Sequence, residues 1–236
     1  MDASKWSESI EKAKVFFKNE IAAVHLKNVA KSGSLKQYKV NPLLKDYLAY
    51  FLRGDNSAKS IAEALILPRV LGASINTSFG SSSQRMITEI FEGLGSTTSG
   101  IDIEFVDAID GRKKYCQVKA GPSTINHDDV KTIKDHFKMA KNLARQNKLS
   151  IGFDDFIVGV LYGKTSELNT NYTSIRREYP VLVGQEFWHH LTGKPDYYQD
   201  LIQAFGEVAQ AVDGREVLEA AIAQLTAEIE RELKIV

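Results

Sequence analysis

Residues 101 to 120, IDIEFVDAIDGRKKYCQVKA, gather the side chains of this chain best suited to chemistry. Asp110-Gly111 is the dipeptide of a two-residue hairpin turn, because a type I′ turn needs positive φ at both central positions. With that turn, residue 109 faces 112, 104 faces 117 and 102 faces 119. Side chains alternate between faces with period two. One face then carries Ile101, Ile103, Phe105, Cys116 and Val118, an apolar set that wants a core. The other carries Asp102, Glu104, Gln117 and Lys119, with Val106 and Tyr115 nearer the turn. Two carboxylates, an amide and an ammonium thus meet across two strands. Carboxylates bind hard cations, and a neighbouring lysine polarises a phosphate or a water. The same residues also suit the polar outer face of an exposed hairpin, where Asp opposite Lys is a surface ion pair worth roughly 0 to 1 kcal/mol.

The elements around the hairpin favour a site. FIVGVLY at 156 to 162 is a nearly continuous apolar run, as expected of a strand covered on both faces. Between it and the hairpin lies a long helical stretch, opened by Asn126 or Asp128 as cap and running to about Asn147. Hairpin, crossover helix and buried strand make an α/β layer, and a charged cluster there tends to sit at a strand edge or cleft. Upstream, residues 5 to about 31 have amphipathic helical spacing. Asn41-Pro42 opens a helix to about Leu52, and Ser57 caps another that ends near Pro68. Residues 74 to 83 read as a polar loop, followed by a helix over 84 to 94. Downstream come a polar stretch at 163 to 178, a short strand within 179 to 183, and helices at 186 to 190, 196 to 211 and 215 to 234, the last lined by Val217, Leu225, Ile229 and Leu233.

The whole chain sets the frame. With 236 residues, 43% hydrophobic and 25% charged, it has ordinary globular composition. The expectation is a single domain over 1–236, with a core at about 84–162 and helical flanks at 1–75 and 184–236. Thirty basic residues balance thirty acidic ones, which argues against indiscriminate coating of nucleic acid but not against a local basic groove. One cysteine excludes an intramolecular disulfide and fits a reducing compartment. No apolar run of about 18 residues indicates a membrane span, and the N-terminus lacks a signal-peptide pattern, so the expected location is cytoplasmic.

Further residues carry candidate chemistry. Lys131, Lys134, Lys138, Lys141, Arg145 and Lys148 recur every three or four positions beside an apolar stripe of Val130, Ile133, Phe137, Ala140 and Ala144. A row of like charges repels itself unless an anion faces it, and a phosphate backbone is such an anion. Ser81, Ser82 and Arg85, and the polar stretch with Arg176 and Arg177, offer donors to phosphates and base edges. Glu89 lies at the rim of an apolar helix face, where a carboxylate can look into a cleft. His189-His190 lacks metal-ligand spacing, and Cys116 reads as a small core residue.

Asp102, fourteen intervening residues and then Gln117-Val118-Lys119 on the paired strand resemble the PD-(D/E)xK nuclease signature. The order helix, hairpin, helix, apolar strand is similar to the core of that superfamily. YCQVKAGPSTINHDDV, with Asn126 and acidic residues opening a helix, resembles type II restriction endonucleases in particular. The resemblance covers about 84 to 162. It implies a restriction-endonuclease-like α/β fold, a central mixed sheet flanked by helices with extra helical N- and C-terminal segments. It implies that Asp102 binds a metal and that Lys119 orients the attacking water and stabilises charge on the phosphate. Gln117 departs from the usual acid: its oxygen can coordinate a cation but brings no charge, so weaker metal binding or reliance on Glu104 or Glu89 follows. The signature's proline is absent, Ile101 standing before Asp102.

The resulting expectation is a Mg2+-dependent type II restriction endonuclease, with Mn2+ as a substitute, hydrolysing double-stranded DNA at a short specific site. Asp102, Gln117 and the Val118 backbone carbonyl, with Glu104 as a further candidate, hold the metal. Asp102, Gln117, Lys119 and Glu89 are catalytic. Lys131, Lys134, Lys138, Ser81, Ser82, Arg85, Asn126, Arg176 and Arg177 meet DNA. A homodimer and a cognate DNA methyltransferase are the expected partners. The alternatives are a repair or junction-resolving nuclease, and a non-cleaving DNA-binding protein on the same scaffold.

Overall fold

The computed structural model describes residues 3–233. In chain order its helices are α1 (Ala3–Phe16), α2 (Ala23–Lys31), α3 (Lys45–Arg53), α4 (Ala58–Pro68), α5 (Ile75–Ile90), α6 (His127–Gln146), α7 (Thr170–Arg176), α8 (Gln185–Thr192), α9 (Tyr197–Ala211) and α10 (Arg215–Leu233). The strands are β1 (Ile103–Val106), β2 (Lys113–Lys119), β3 (Phe156–Val160) and β4 (Val181–Val183). The side chain of Leu233 and residue 234, expected to finish the last helix, lie outside the described residues. The chain divides into two compact units: residues up to 16 with 80–206, and 17–79 with 207 onward.

The first unit is the α/β layer. Its sheet has the order β1-β2-β3-β4, with β1 antiparallel to β2 and the other two pairs parallel. The fold class is the one expected, a mixed sheet flanked by helices. Every residue of β3 is buried, as a parallel strand between two neighbours requires. α6 begins at Asn126, whose side chain accepts from Asp129 N–H while Asp129 accepts from Asn126 N–H, a capping box that satisfies two otherwise orphan donors. Its row of Val130, Ile133, Phe137 and Ala140 packs against Phe156, Val158 and Val160. On the sheet's other face Phe187 of α8 lies so close to Gly159 that a Cβ there would sit 2.3 Å from the ring. Trp188 donates to the Leu161 carbonyl at 2.8 Å.

The hairpin corrects one expectation. Ile103 pairs with Cys116 and Glu104 with Tyr115, so the register is two residues from that of a two-residue turn. The physical reason lies in the loop. Asp107 N–H donates to Arg112 O, Gly111 N–H donates to Asp107 O, and only Gly111 (φ 71°) takes positive φ. Four residues, 108 to 111, thus turn the chain with no left-handed aspartate, which costs less than a type I′ turn with Asp110 at positive φ. A slip of two leaves every side chain on its expected face, because the period is two. Ile103, Phe105, Cys116 and Val118 are buried. Ile101, expected beside them, lies before β1 begins and joins the cluster under α6.

The second unit is helical. Val29, Ala49, Ile61, Ile66, Ala221 and Leu225 form its core. Ser57 caps α4 by accepting from Ser60 N–H, as expected. α3 starts at Lys45 rather than at Asn41-Pro42, whose Asn41 side chain instead accepts from Leu43 N–H in a turn.

Two polar segments expected as loops are helical. Residues 75–90 make the single helix α5. Ser83 returns its hydroxyl to the Gly80 carbonyl, and Met86, Ile87 and Ile90 are buried, so burial of one face overrides weak serine propensity. Within 163 to 178, Asn169 caps α7 and the pair Tyr172 and Ile175 is buried one turn apart.

Candidate active site

The site forms where β1 gives out. β1 begins at Ile103; Asp102 N–H still donates to the Cys116 carbonyl of β2 at 3.0 Å, and at the next rung the Asp102 carboxylate stands in for the backbone, Oδ2 accepting from Val118 N–H at 2.7 Å. One residue on, Lys119 turns its carbonyl to β3, where Leu161 N–H donates at 3.0 Å. Carbonyls alternate along a strand, so the Val118 carbonyl points to the edge where Asp102 lies. Burial lifts the Asp102 carboxyl above its ordinary pKa. The Val118 N–H and the charge of Lys119 pull it back only in part. Lys119 is half-buried, and among the described residues its ammonium has no hydrogen-bond or ion-pair partner.

Gln117 is buried, and its amide nitrogen donates to the Gly100 carbonyl at 2.6 Å and meets His136 Nδ1 at 2.9 Å. Its amide oxygen is the atom left for a cation. Glu104 has another task. It pairs with Lys113 at 2.6 Å and accepts from Ser96 and Thr98, and although burial pushes its carboxyl up, these partners bring the net pKa below the ordinary value. Glu89 is exposed on α5 and pairs with Arg85 at 3.5 Å, with no hydrogen bond to Asp102 or Lys119 among the described residues.

These placements decide how well a divalent ion fits. Among the described residues no three His, Cys, Asp or Glu side chains gather as a metal site. Asp102, the Val118 carbonyl and the Gln117 oxygen would supply an all-oxygen set with one negative charge. That set fits Mg2+, which keeps several waters and takes one or two carboxylates with substrate phosphates rather than a full protein cage.

Residues 11–213 match the family described as Type II restriction endonuclease EcoO109I. The chain belongs to that family. Comparison with individual curated proteins gave no match. A restriction-endonuclease family implies an endonuclease with DNA as substrate. No described helix is long and apolar enough to cross a membrane.

For this restriction-endonuclease chain the residues expected to meet DNA divide into two groups. Lys131, Lys138, Arg176 and Arg177 are exposed, and Lys131 and Lys138, about two helical turns apart on α6, have no partner among the described residues. Lys134 is engaged with Glu178 at 2.6 Å, Lys141 lies 3.0 Å from the Phe153 ring centre, and Asn126 serves as the α6 cap. The basic row is therefore partly neutralised from within. Ser81, Ser82 and Arg85 lie on α5 rather than in a loop. Gly100 and His136 also belong to the site, although no motif around the hairpin marks them. His136 falls between Ile133 and Phe137 on the inward side of α6, a position that alone would have directed it at the sheet.

Proposed function

We propose that this chain is a Mg2+-dependent, site-specific endonuclease for double-stranded DNA, working at Asp102, Gln117, Val118 and Lys119. The observation that carries the reading is the end of the ladder: a half-buried carboxylate that takes the place of a backbone acceptor for Val118 N–H, near a lysine with no hydrogen-bond or ion-pair partner among the described residues. In the alternative, an inert polar hairpin face, the Lys119 ammonium would be expected to pair with a neighbouring carboxylate, and among the described residues it forms no ion pair.

Asp102, the Val118 carbonyl and the Gln117 oxygen would hold the ion, with Mn2+ as a substitute. When bound, Mg2+ supplies positive charge to the phosphate as a Lewis acid. The rest is done by the chain. Val118 N–H orients Asp102 and favours its ionised form against the burial that raises its pKa. Lys119 donates to a non-bridging phosphate oxygen, where charge accumulates as water attacks in line and the opposite P–O bond breaks. Lys131 and Lys138 hold the backbone of the duplex by charge, with Arg176 and Arg177 as further contacts.

The proposed assembly is a homodimer, since a palindrome is matched by two-fold symmetry. α3 and the turn before it support this. Leu43, Tyr47, Tyr50 and Phe51 are 88, 63, 54 and 79% exposed. With Leu44, Leu48 and Leu52 they amount to roughly 800 Å2, above the patch a monomer usually shows and near one partner's share of a standard interface. A second copy is the occupant that this exposed apolar face fits, since the charges of α3 are already paired, Lys45 with Asp46 and Arg53 with Glu63.

Incubation of a plasmid of known sequence with the protein and Mg2+ tests the reading. Discrete fragments support it. Nicking confined to branched substrates would favour a repair or junction-resolving enzyme, and binding without cleavage in both Mg2+ and Mn2+ would leave only a DNA-binding scaffold. A methyltransferase encoded beside this chain would support restriction.

A further inference from the structure

Two acceptors converge on the Gln117 amide nitrogen, the Gly100 carbonyl at 2.6 Å and His136 Nδ1 at 2.9 Å. A carbonyl only accepts, so the atom facing Gly100 is the –NH2 group and not the amide oxygen. An amide nitrogen only donates, so His136 Nδ1 is the ring nitrogen without a proton. Both hydrogens are thereby committed and the amide plane is fixed. Gly100 has φ +77°, and a Cβ there would lie 2.3 Å from His136 Cγ, so the ring rests on bare backbone that only glycine offers.

We propose that His136 is a positioning residue: with the Gly100 carbonyl it holds the Gln117 carboxamide so that oxygen, not –NH2, is left for the cation, and the pocket selects an amide over a carboxylate at position 117. The proposal rests on the reading of Asp102, Gln117 and Val118 as a cation site. On this account Gln117 is not a weakened acid. A glutamate would set a carboxylate oxygen against the Gly100 carbonyl with no proton between them. The added negative charge is then offset by repulsion between two acceptors, and cation binding does not improve.

The test uses the full chain labelled with 15N-glutamine and free of metal, the Gln117 side-chain resonances being assigned by their loss in Gln117→Ala. The wild type is expected to show both Nε2 protons shifted downfield and slow to exchange. His136→Phe keeps a ring on Gly100 but removes the acceptor, and one proton should move to the free-amide range. His136→Asn, whose Oδ1 takes the place of Nδ1, should restore it. Mn2+ affinity, read by water-proton relaxation, should fall about 10- to 100-fold in His136→Phe and return to within about threefold of wild type in His136→Asn. Gln117→Glu should bind Mn2+ no more than about threefold tighter than wild type. Amide resonances unchanged by His136→Phe would overturn the positioning role, and Gln117→Glu binding more than about tenfold tighter would overturn the selectivity for an amide. Absence of Mn2+ binding by the wild type, with the amide signature intact, would overturn the cation-site reading and the proposal with it.

Discussion

Replacing Lys114 with methionine should loosen the end of the hairpin that fixes the register of β1 on β2. The Lys114 ammonium lies 2.5 Å from Asp110 Oδ2, 3.6 Å from Asp155 Oδ1 and 3.9 Å from Asp107 Oδ2, and it donates to the Asp154 carbonyl at 3.1 Å. The side chains of Lys114, Asp107 and Asp155 are 4, 1 and 7% exposed. Methionine nearly matches the volume and removes the charge. Asp107 keeps Ile109 N–H and His190, and Asp155 keeps Arg112 and Gly152 N–H on Oδ2, but Asp155 Oδ1 has no hydrogen bond to fall back on. Breaking a buried ionic cluster from one side costs about 3 to 5 kcal/mol. With Arg112 and His190 still present the lower end applies, about 3 kcal/mol, or a Tm fall of roughly 6 to 12 °C. Both tryptophans, Trp6 and Trp188, belong to the sheet-containing unit, so fluorescence in a urea titration follows that unit alone. Asp155→Asn should cost less in the Lys114→Met background than in the wild type, because it then removes an uncompensated charge. A loss under about 1 kcal/mol in Lys114→Met, or simple additivity of the two changes, would refute the reasoning.

Phe51→Glu on the apolar face of α3 should convert a dimer to a monomer in sedimentation at micromolar concentration, with no loss of folding; a wild type that sediments as a monomer would contradict the proposed seam. Glu104 has a lowered pKa, so its pairing contributes stability above the ordinary carboxyl range and loses it as pH falls through the lowered value. Glu104→Gln should accordingly flatten the acid limb of the stability profile, and an unchanged limb would remove Glu104 from that transition. Lys131→Ala and Lys138→Ala should each weaken DNA binding across sequences and reduce the slope of log K against log salt by about 1; an unaltered slope would show that no phosphate faces them.

The faces of the hairpin were legible in the residues because alternation is local and survives a slip of two. The register was not, because the four-residue loop that sets it is held in place by partners far along the chain: His190 on Asp107, and Asp155 on Lys114 and Arg112. The buried strand and α6 declared themselves through an apolar run and through a cap at Asn126 or Asp128, of which the structure uses Asn126. α5 did not, since its serines disfavour a helix locally and only the burial of Met86, Ile87 and Ile90 decides it. The site was half legible. Asp102 and Lys119 followed from spacing, but the acceptors around Gln117 come from Gly100 and from a helix 19 residues downstream, which no local pattern joins. The charge row on α6 was legible as composition, while the pairing of Lys134 with Glu178 and the seating of Lys141 on the Phe153 ring were matters of tertiary contact.

Single-turnover cleavage by Lys119→Met, at saturating protein on DNA carrying the wild-type cut site and in Mg2+, tests the central claim most directly. The account predicts binding close to wild type in Ca2+ and a cleavage rate lower by about 10² to 10³, the usual loss when one charge-stabilising group is removed. A rate within about threefold of wild type, with binding unchanged, would contradict it, since a lysine beside the scissile phosphate is not lost at so little cost.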